Sequence, residues 1–168
     1  MVVAFIGSSE HVFDAAYNSI KVTSELVDIN KQIGVHPFIG VVDVVPFIPL
    51  KDAKMRDCID IAKRLGKKVA DELNIPVYLY GEAARNEKFK HLHNIRRGGL
   101  GHLKQAINTK DFRPDFGKPA VHPTAGAVSI GARDFLIAFN VNLDTDDLKI
   151  AKDIAKKIRE KDGGLPGI

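Results

Sequence analysis

Residues 39–50 read Ile39-Gly40-Val41-Val42-Asp43-Val44-Val45-Pro46-Phe47-Ile48-Pro49-Leu50. The run is β-branched and almost continuously apolar, with Asp43 as its single charge. Strands covered on both faces have this character, because neither face meets water. Ile39 to Val45 is therefore predicted to be a buried central strand. Pro46 and Pro49 are expected to end its pairing, since proline has no N–H to donate.

A strand of this kind needs helices to cover it, and the flanking sequence supplies them. Upstream, Val12, Phe13, Ala16, Ile20, Thr23 and Val27 recur at three- and four-residue spacing, the period of an amphipathic helix. Gly7-Ser8-Ser9 offers caps for its start and Gly34 a stop for its end. Downstream, Met55, Cys58, Ile59, Ala62, Leu65, Val69 and Leu73 form a second stripe, broken by Asn74-Ile75-Pro76. Short strands are predicted at Val2–Ile6, Val77–Tyr80 and Ala127–Ile130, and a longer one at Asp134–Leu143. In the last of these, Phe135, Ile137, Phe139, Val141 and Leu143 share one face, and Asn140 and Asn142 the other. The pattern weakens from Glu82 to Arg113, with a short helix expected at Gly101–Ile107. A last helix, capped by Asp144 and Thr145, turns Leu148, Ala151, Ile154, Ala155 and Ile158 inward and ends at Gly163-Gly164. The order β-α-β-α-β-(irregular)-β-β-α predicts an α/β sandwich, a mixed sheet with helices packed against it.

Composition agrees with one folded domain over residues 1–168. Hydrophobic residues make up 45% and charged residues 27% of the chain, the usage of ordinary globular proteins. A single cysteine, Cys58, excludes an intrachain disulfide and a multi-cysteine zinc site. No apolar run approaches the roughly 18 residues of a membrane span, and Met1–Gly7 lacks the pattern of a secretory leader. A cytoplasmic location is expected, with no membrane partner. The balance of 25 Lys+Arg against 21 Asp+Glu gives net +4, which favours anionic partners without specifying them.

Several residues can carry chemistry. His36, held by Pro37 at the mouth of a strand, suits proton transfer, because an imidazole accepts and returns a proton near neutral pH. A loop histidine bonded to backbone is the plainer reading. Asp43 in an apolar strand must be paired or functional, since an isolated buried charge is costly. Gly117-Lys118-Pro119-Ala120-Val121-His122-Pro123-Thr124-Ala125-Gly126 is a loop with glycine at both ends, a form that lets backbone approach a flat ligand. Lys88, Lys90, His91, His93, Arg96, Arg97 and Lys104 form a basic stretch. It suits a nucleic acid, a small polyanion or simply solvent. Phe89 alone interleaves it, so base stacking is poorly supported. His91 and His93 would bind a metal only with ligands from elsewhere. Asn140 and Asn142 present amides that can bind a carboxylate or a formamidine-like group.

Taken together, certain blocks resemble the glutamate formiminotransferase family. They are His36-Pro37 with Gly40, Asp43-Val44 and Pro46-Phe47-Ile48-Pro49; Pro76 to Arg85; Pro114-Asp115-Phe116-Gly117; and Gly131-Ala132-Arg133 with Phe135 to Asn140. They follow one another in order across nearly the whole chain and resemble the family's N-terminal subdomain. The resemblance implies a ferredoxin-like two-layer sandwich that lacks the family's first strand and helix and its C-terminal subdomain. It implies a transferase that moves a formimino (or formyl) group between N-formimino-L-glutamate and tetrahydrofolate, in one-carbon metabolism and histidine degradation. His36 takes the role of general acid/base, and Gly117–Gly126 that of the folate-binding loop. Asp43, Arg85, Asn140 and Asn142 become candidates for contact with substrate, and the basic stretch a partner for folate carboxylates. Tetrahydrofolate is the expected co-substrate, with no metal and no nucleic acid; a dimer, another homo-oligomer or a complementary subdomain chain is the expected assembly. The alternative is a non-catalytic or split-enzyme relative, acting as a folate-binding or protein-interaction module. The chain departs from the family pattern at Phe38, where the family has an Arg clamp, at Ala125, where it has a Trp stacking surface, and at His122, where it has an apolar residue.

Overall fold

In the computed structural model, residues 1–34, 36–137 and 141–165 are described, apart from the Lys161 side chain. The chain divides into two compact units, Met1–Phe135 and Leu136–Ile168.

The first unit is an α/β sandwich, as the element pattern predicts. Its helices are α1 (Ser9–Leu26), α2 (Met55–Leu73), α3 (Leu92–Arg96) and α4 (Gly99–Ala106); its strands are β1 (Val44–Phe47), β2 (Val77–Gly81) and β3 (Val128–Ala132). The strands pair in the order β1-β3-β2, parallel throughout. Antiparallel pairing among the described residues is limited to isolated bridges. Strand parity sorts the core into two clusters. Phe47, Val77, Leu79, Val128, Ile130 and Ala132 face α1 and α2, whereas Val44, Tyr78, Tyr80 and Ala127 face the short helices of residues 87–112. Helix α2 lays Cys58, Ala62, Leu65 and Val69 on the first face. Helix α1 is tied to α2 by a bidentate pair, Arg64 to Glu10 at 2.8 and 2.9 Å, with the same guanidinium 4.8 Å above the Phe13 ring. Leu65 is fully buried under the sheet, so Leu65→Ala is expected to cost about 2–5 kcal/mol in urea unfolding, through lost transfer energy and a residual cavity.

The central strand is β3, not the apolar run at 39–45. Residues 39–43 form an irregular arm, and the parallel ladder begins only at Val44. Pro46 sits inside β1, opposite Gly131. It is tolerated there because the Asp43 and Phe47 carbonyls accept from Ser129 of β3 and from Arg133 just after it. Alternation then directs position 46 at the outer edge, where no N–H is required. The far edge of β2 is sealed by Asp115 and Phe116. The Asp115 N–H donates to the Val77 carbonyl, Val77 N–H donates to the Phe116 carbonyl, and Leu79 N–H donates to Asp115 Oδ2 at 2.7 Å.

Other expectations shift by local competition. Helix α1 stops at Leu26, well before Gly34, because Val27 is extended and the Asp28 side chain accepts the Asn30 N–H in a tight turn. Ser8 occupies the cap position, yet its hydroxyl pairs with His11 Nδ1 at 2.9 Å instead of a backbone N–H. Residues 2–6 form no strand and are exposed. The described part of 134–143 likewise pairs with nothing as a strand; Phe135 and Ile137 are exposed, while Phe139 and Asn140 lie outside the described residues.

In the second unit, α5 (Leu148–Ile158) starts where Asp147 accepts the Lys149 N–H at 2.8 Å. Thr145 caps one step earlier, accepting the Asp147 N–H at 3.1 Å. None of its residues is buried, so the predicted inward face is not covered among the described residues. No helix among the described residues is long and apolar enough to cross a membrane.

Candidate functional site

Two segments meet at the amino ends of the parallel strands: the arm 36–43 that enters β1 and the loop 117–126 that enters β3. Backbone groups join them directly. Val41 N–H donates to the Ala125 carbonyl at 3.0 Å, Ala127 N–H donates to the Ile39 carbonyl at 2.8 Å, and Gly40 bridges Gly126. This approach requires glycine on both sides. A Cβ on Gly40 would lie 1.8 Å from the Ala127 carbonyl oxygen, and one on Gly126, whose φ is +77°, would lie 2.2 Å from the Ile39 oxygen.

His36 lies on the exposed part of this arm, while Ile39 and Gly40 are buried. Asp43 anchors the arm with both oxygens. Oδ1 accepts the Ile39 N–H at 2.7 Å, and Oδ2 lies 2.8 Å from Arg96 Nε. The second contact is an ion pair whose N–H does not point in line at the oxygen. Burial pushes the Asp43 carboxyl up, more than the Ile39 N–H and Arg96 pull it down. Arg96 belongs to the basic stretch, and its use inside the fold could not be read from sequence, where nothing links positions 43 and 96.

The loop divides into an exposed and an anchored part. Gly117, Lys118 and Ala120 are exposed, whereas Ala125 and Gly126 are buried. Ala125 packs in the core on the α1/α2 face, so the position is turned inward. The loop closes on itself through His122 and Gly126, which exchange N–H to carbonyl bonds of 3.0 and 3.1 Å. Thr124 and Pro123 carbonyls accept from Ile29 N–H and Asn30 Nδ2 at 2.8 and 2.9 Å. His122 organises the turn: its Nδ1 accepts the N–H groups of Thr124 and Ala125 at 3.3 and 3.0 Å. In the sequence His122 is a member of the candidate loop and a departure from the family pattern, with no sign of this role.

An Nδ1 that accepts two N–H groups must carry no proton, and burial also lowers the His122 pKa. The native state then binds fewer protons than the unfolded chain just below the usual value of 6.5, so stability rises with pH across that window. Above it the contribution of His122 is complete; it is lost as pH falls through the lowered native value. The expected result is a steeper loss of urea stability from pH 7.5 to about 5.5 in the parent than in His122→Gln. Equal slopes would reject it.

Of the remaining predicted site residues, Arg85 belongs to the same unit. Arg85 stacks 4.4 Å over the Phe116 ring, and its Nη1 donates to the Asp115 carbonyl at 3.3 Å, beside the start of the loop. Burial also pushes the Asp115 carboxyl up, more than the Leu79 N–H and Arg85 pull it down. Asn142 is exposed in the second unit, and Asn140 lies outside the described residues. In the basic stretch, Lys90 pairs with Glu87 at 2.6 Å and Arg97 donates to Asn94 at 3.3 Å. The His91 and His93 rings stack 5.6 Å apart. Among the described residues no three His, Cys, Asp or Glu side chains converge on a metal position.

Comparison with known proteins bears on this geometry. The family profile "Formiminotransferase domain, N-terminal subdomain" matches residues 1–133. The chain is 49% identical over 166 residues to glutamate formimidoyltransferase of Thermoplasma acidophilum, covering 98% of this chain and 54% of that protein. It is 39% identical over 163 residues to the Streptococcus pyogenes protein of the same name, covering 97% and 54%. With formimidoyltransferase-cyclodeaminase of Mus musculus the identity is 41% over 163 residues, covering 97% of this chain and 30% of that protein. The chain thus spans about half the length of the first two relatives and less of the third. A profile match that runs through the arm, the loop and all three strands means that the chain belongs to the formiminotransferase family, as its N-terminal subdomain.

Proposed function

We propose that this chain provides the folate-side half of a glutamate formimidoyltransferase, with His36 as the general acid/base. The observation that supports the reading is the junction of the loop with the arm that carries His36: the arm's buried part is bonded to the loop's buried end, while His36 itself, Gly117, Lys118 and Ala120 are exposed. The names of the relatives supply the reaction class: a formimidoyl group exchanged with glutamate. The family resemblance supplies tetrahydrofolate as the other substrate.

In the proposed step, a secondary amine nitrogen of the folate attacks the formimino carbon. His36 takes the proton from that nitrogen, the bond from the formimino carbon to the glutamate nitrogen breaks, and His36 returns the proton to the departing amine. Gly117, Lys118, Ala120 and Pro123 offer the exposed surface of the loop for the flat folate ring, His122 and Thr124 brace it, and Ala125 and Gly126 act as the buried anchor. Lys118, exposed in the same loop, can pair with a folate carboxylate. Arg85, beside the start of the loop, is a candidate for the substrate's polar groups.

The test is turnover with tetrahydrofolate and either N-formiminoglutamate or N-formylglutamate, alongside calorimetric titration of folate. Transfer from the formimino donor with measurable folate binding is expected. Absence of folate binding at high protein concentration would sink the reading, whichever donor is offered.

A further inference from the structure

We infer that Arg96 is a positioning residue: with Asp43 it braces the arm that carries His36, so that the short helices of residues 92–106 set the histidine's place. The inference rests on the functional reading above and names which part of the fold supports that site.

The geometry is a clamp with two contact points. At one, Asp43 spans the gap between helix and arm, with Oδ1 on the Ile39 N–H at 2.7 Å and Oδ2 on Arg96 Nε at 2.8 Å. At the other, the backbone of Gly99 lies against Pro37 and Phe38. A Cβ there would sit 3.4 Å from the Phe38 oxygen and 4.0 Å from the Pro37 Cα, and Gly99 has φ +60°. Arg96 ends α3 and Gly99 begins α4, so both contacts come from one tight turn of the chain. Between them the arm has little room: Ile39 is fully buried, and Pro37 restricts the backbone of His36 to extended conformations.

Asp43 has no oxygen left without a close partner inside the protein, and its side chain is only 20% exposed. It therefore acts on His36 through Ile39, not by touching substrate. Arg96, 30% exposed on its side chain, is engaged with the arm through Asp43. A guanidinium suits this task because it is planar and permanently charged, and its Nε sits in a fixed fork. Loss of the charge leaves Asp43 partly buried without its counter-ion, so its carboxylate is tied to the arm's own backbone and no longer to the helix.

The experiment compares the parent with Arg96→Gln, Arg96→Lys and the double variant Asp43→Asn/Arg96→Gln. It reads kcat, KM, the calorimetric Kd for tetrahydrofolate and the ring proton signals of His36, assigned by their loss in His36→Gln. Arg96→Gln is expected to lower kcat about 10–100-fold, the scale of a small misplacement of a reacting group. The folate Kd should stay within about twofold, and the His36 signals should move. Arg96→Lys should recover part of kcat. If Arg96→Gln does not fold, the double variant, which replaces both charges by amides, carries the same expectation. A weakened Kd with kcat held would mean that Arg96 meets folate instead, and would overturn the inference. So would unmoved His36 signals in a folded variant. The signals can be read without turnover, so displaced His36 signals uphold the brace even if no transfer reaction is found.

Discussion

His36→Ala is expected to lower the rate of formimino transfer by about 10²–10⁴-fold, the usual range for loss of a positioned acid/base. Folding and folate affinity should hardly change. The histidine is exposed and its arm is fixed by Ile39, Gly40 and Asp43, so truncating the ring removes no packing. The loss should therefore fall on kcat, with the melting temperature and the calorimetric folate Kd close to those of the parent. The pH dependence of kcat/KM should also lose one limb, because that limb reports the free enzyme's acid or base. A fall in kcat of less than about threefold would remove His36 from the mechanism, since even modest acid/base assistance exceeds it.

Gly40→Ala is expected to be the most damaging single substitution at the site. The added carbon would meet the Ala127 oxygen at 1.8 Å, the Ala127 carbonyl carbon at 2.9 Å and the Ala125 oxygen at 3.1 Å. All three are backbone atoms, so no side chain can swing away. The arm and loop must separate, which breaks or stretches the Val41-to-Ala125 and Ala127-to-Ile39 bonds. Each such bond contributes about 1 kcal/mol net, and an unsatisfied buried partner costs about 1–3 more. A loss of about 3–5 kcal/mol follows, in the diagnostic tail of single substitutions. For a chain of this size that lowers the melting temperature by roughly 10 °C or more. Gly101→Ala is the control. It lies inside α4 with nothing within 4 Å of the added carbon. It should be neutral or stabilise by up to about 1 kcal/mol, because alanine favours helix. Similar behaviour of the two variants would show that contact with Ala127 does not set the Gly40 requirement.

These two residues mark what the sequence could and could not reveal. The second helix, the Val77 strand and the last helix were legible because each carries its own period and stop signals. His36-Pro37 and the glycine-bounded loop were legible as blocks. The order of the sheet was not. Residues 39–45 have the apolar density of a central strand, yet the centre went to Val128–Ala132, where Ser129 and Gly131 interrupt the apolar residues. The reason is steric: the Tyr80 ring lies across Gly131, where a Cβ would fall 2.5 Å from it. Position 131 therefore requires glycine, a demand set by a neighbour far along the chain. The join of arm to loop was hidden for a related cause, since it is made by backbone groups that any sequence has. His122 and Arg96 were visible as residue types but not as a loop organiser and a brace, because both roles depend on which N–H or carboxylate lies opposite.

A short parallel sheet with open sides invites other chains to add strands, and the two rims of this sheet meet that hazard differently. Along the Val77 rim, Asp115 and Phe116 occupy the backbone groups that an incoming strand would need. Along the other rim, Pro46 removes a donor from the middle of the ladder and presents a ring instead. Runaway stacking into fibrils is thus opposed on one side by occupancy and on the other by a missing hydrogen. The proline that does this sits in the same apolar run that carries the arm into the sheet, so the most aggregation-prone stretch of the sequence contains its own terminator.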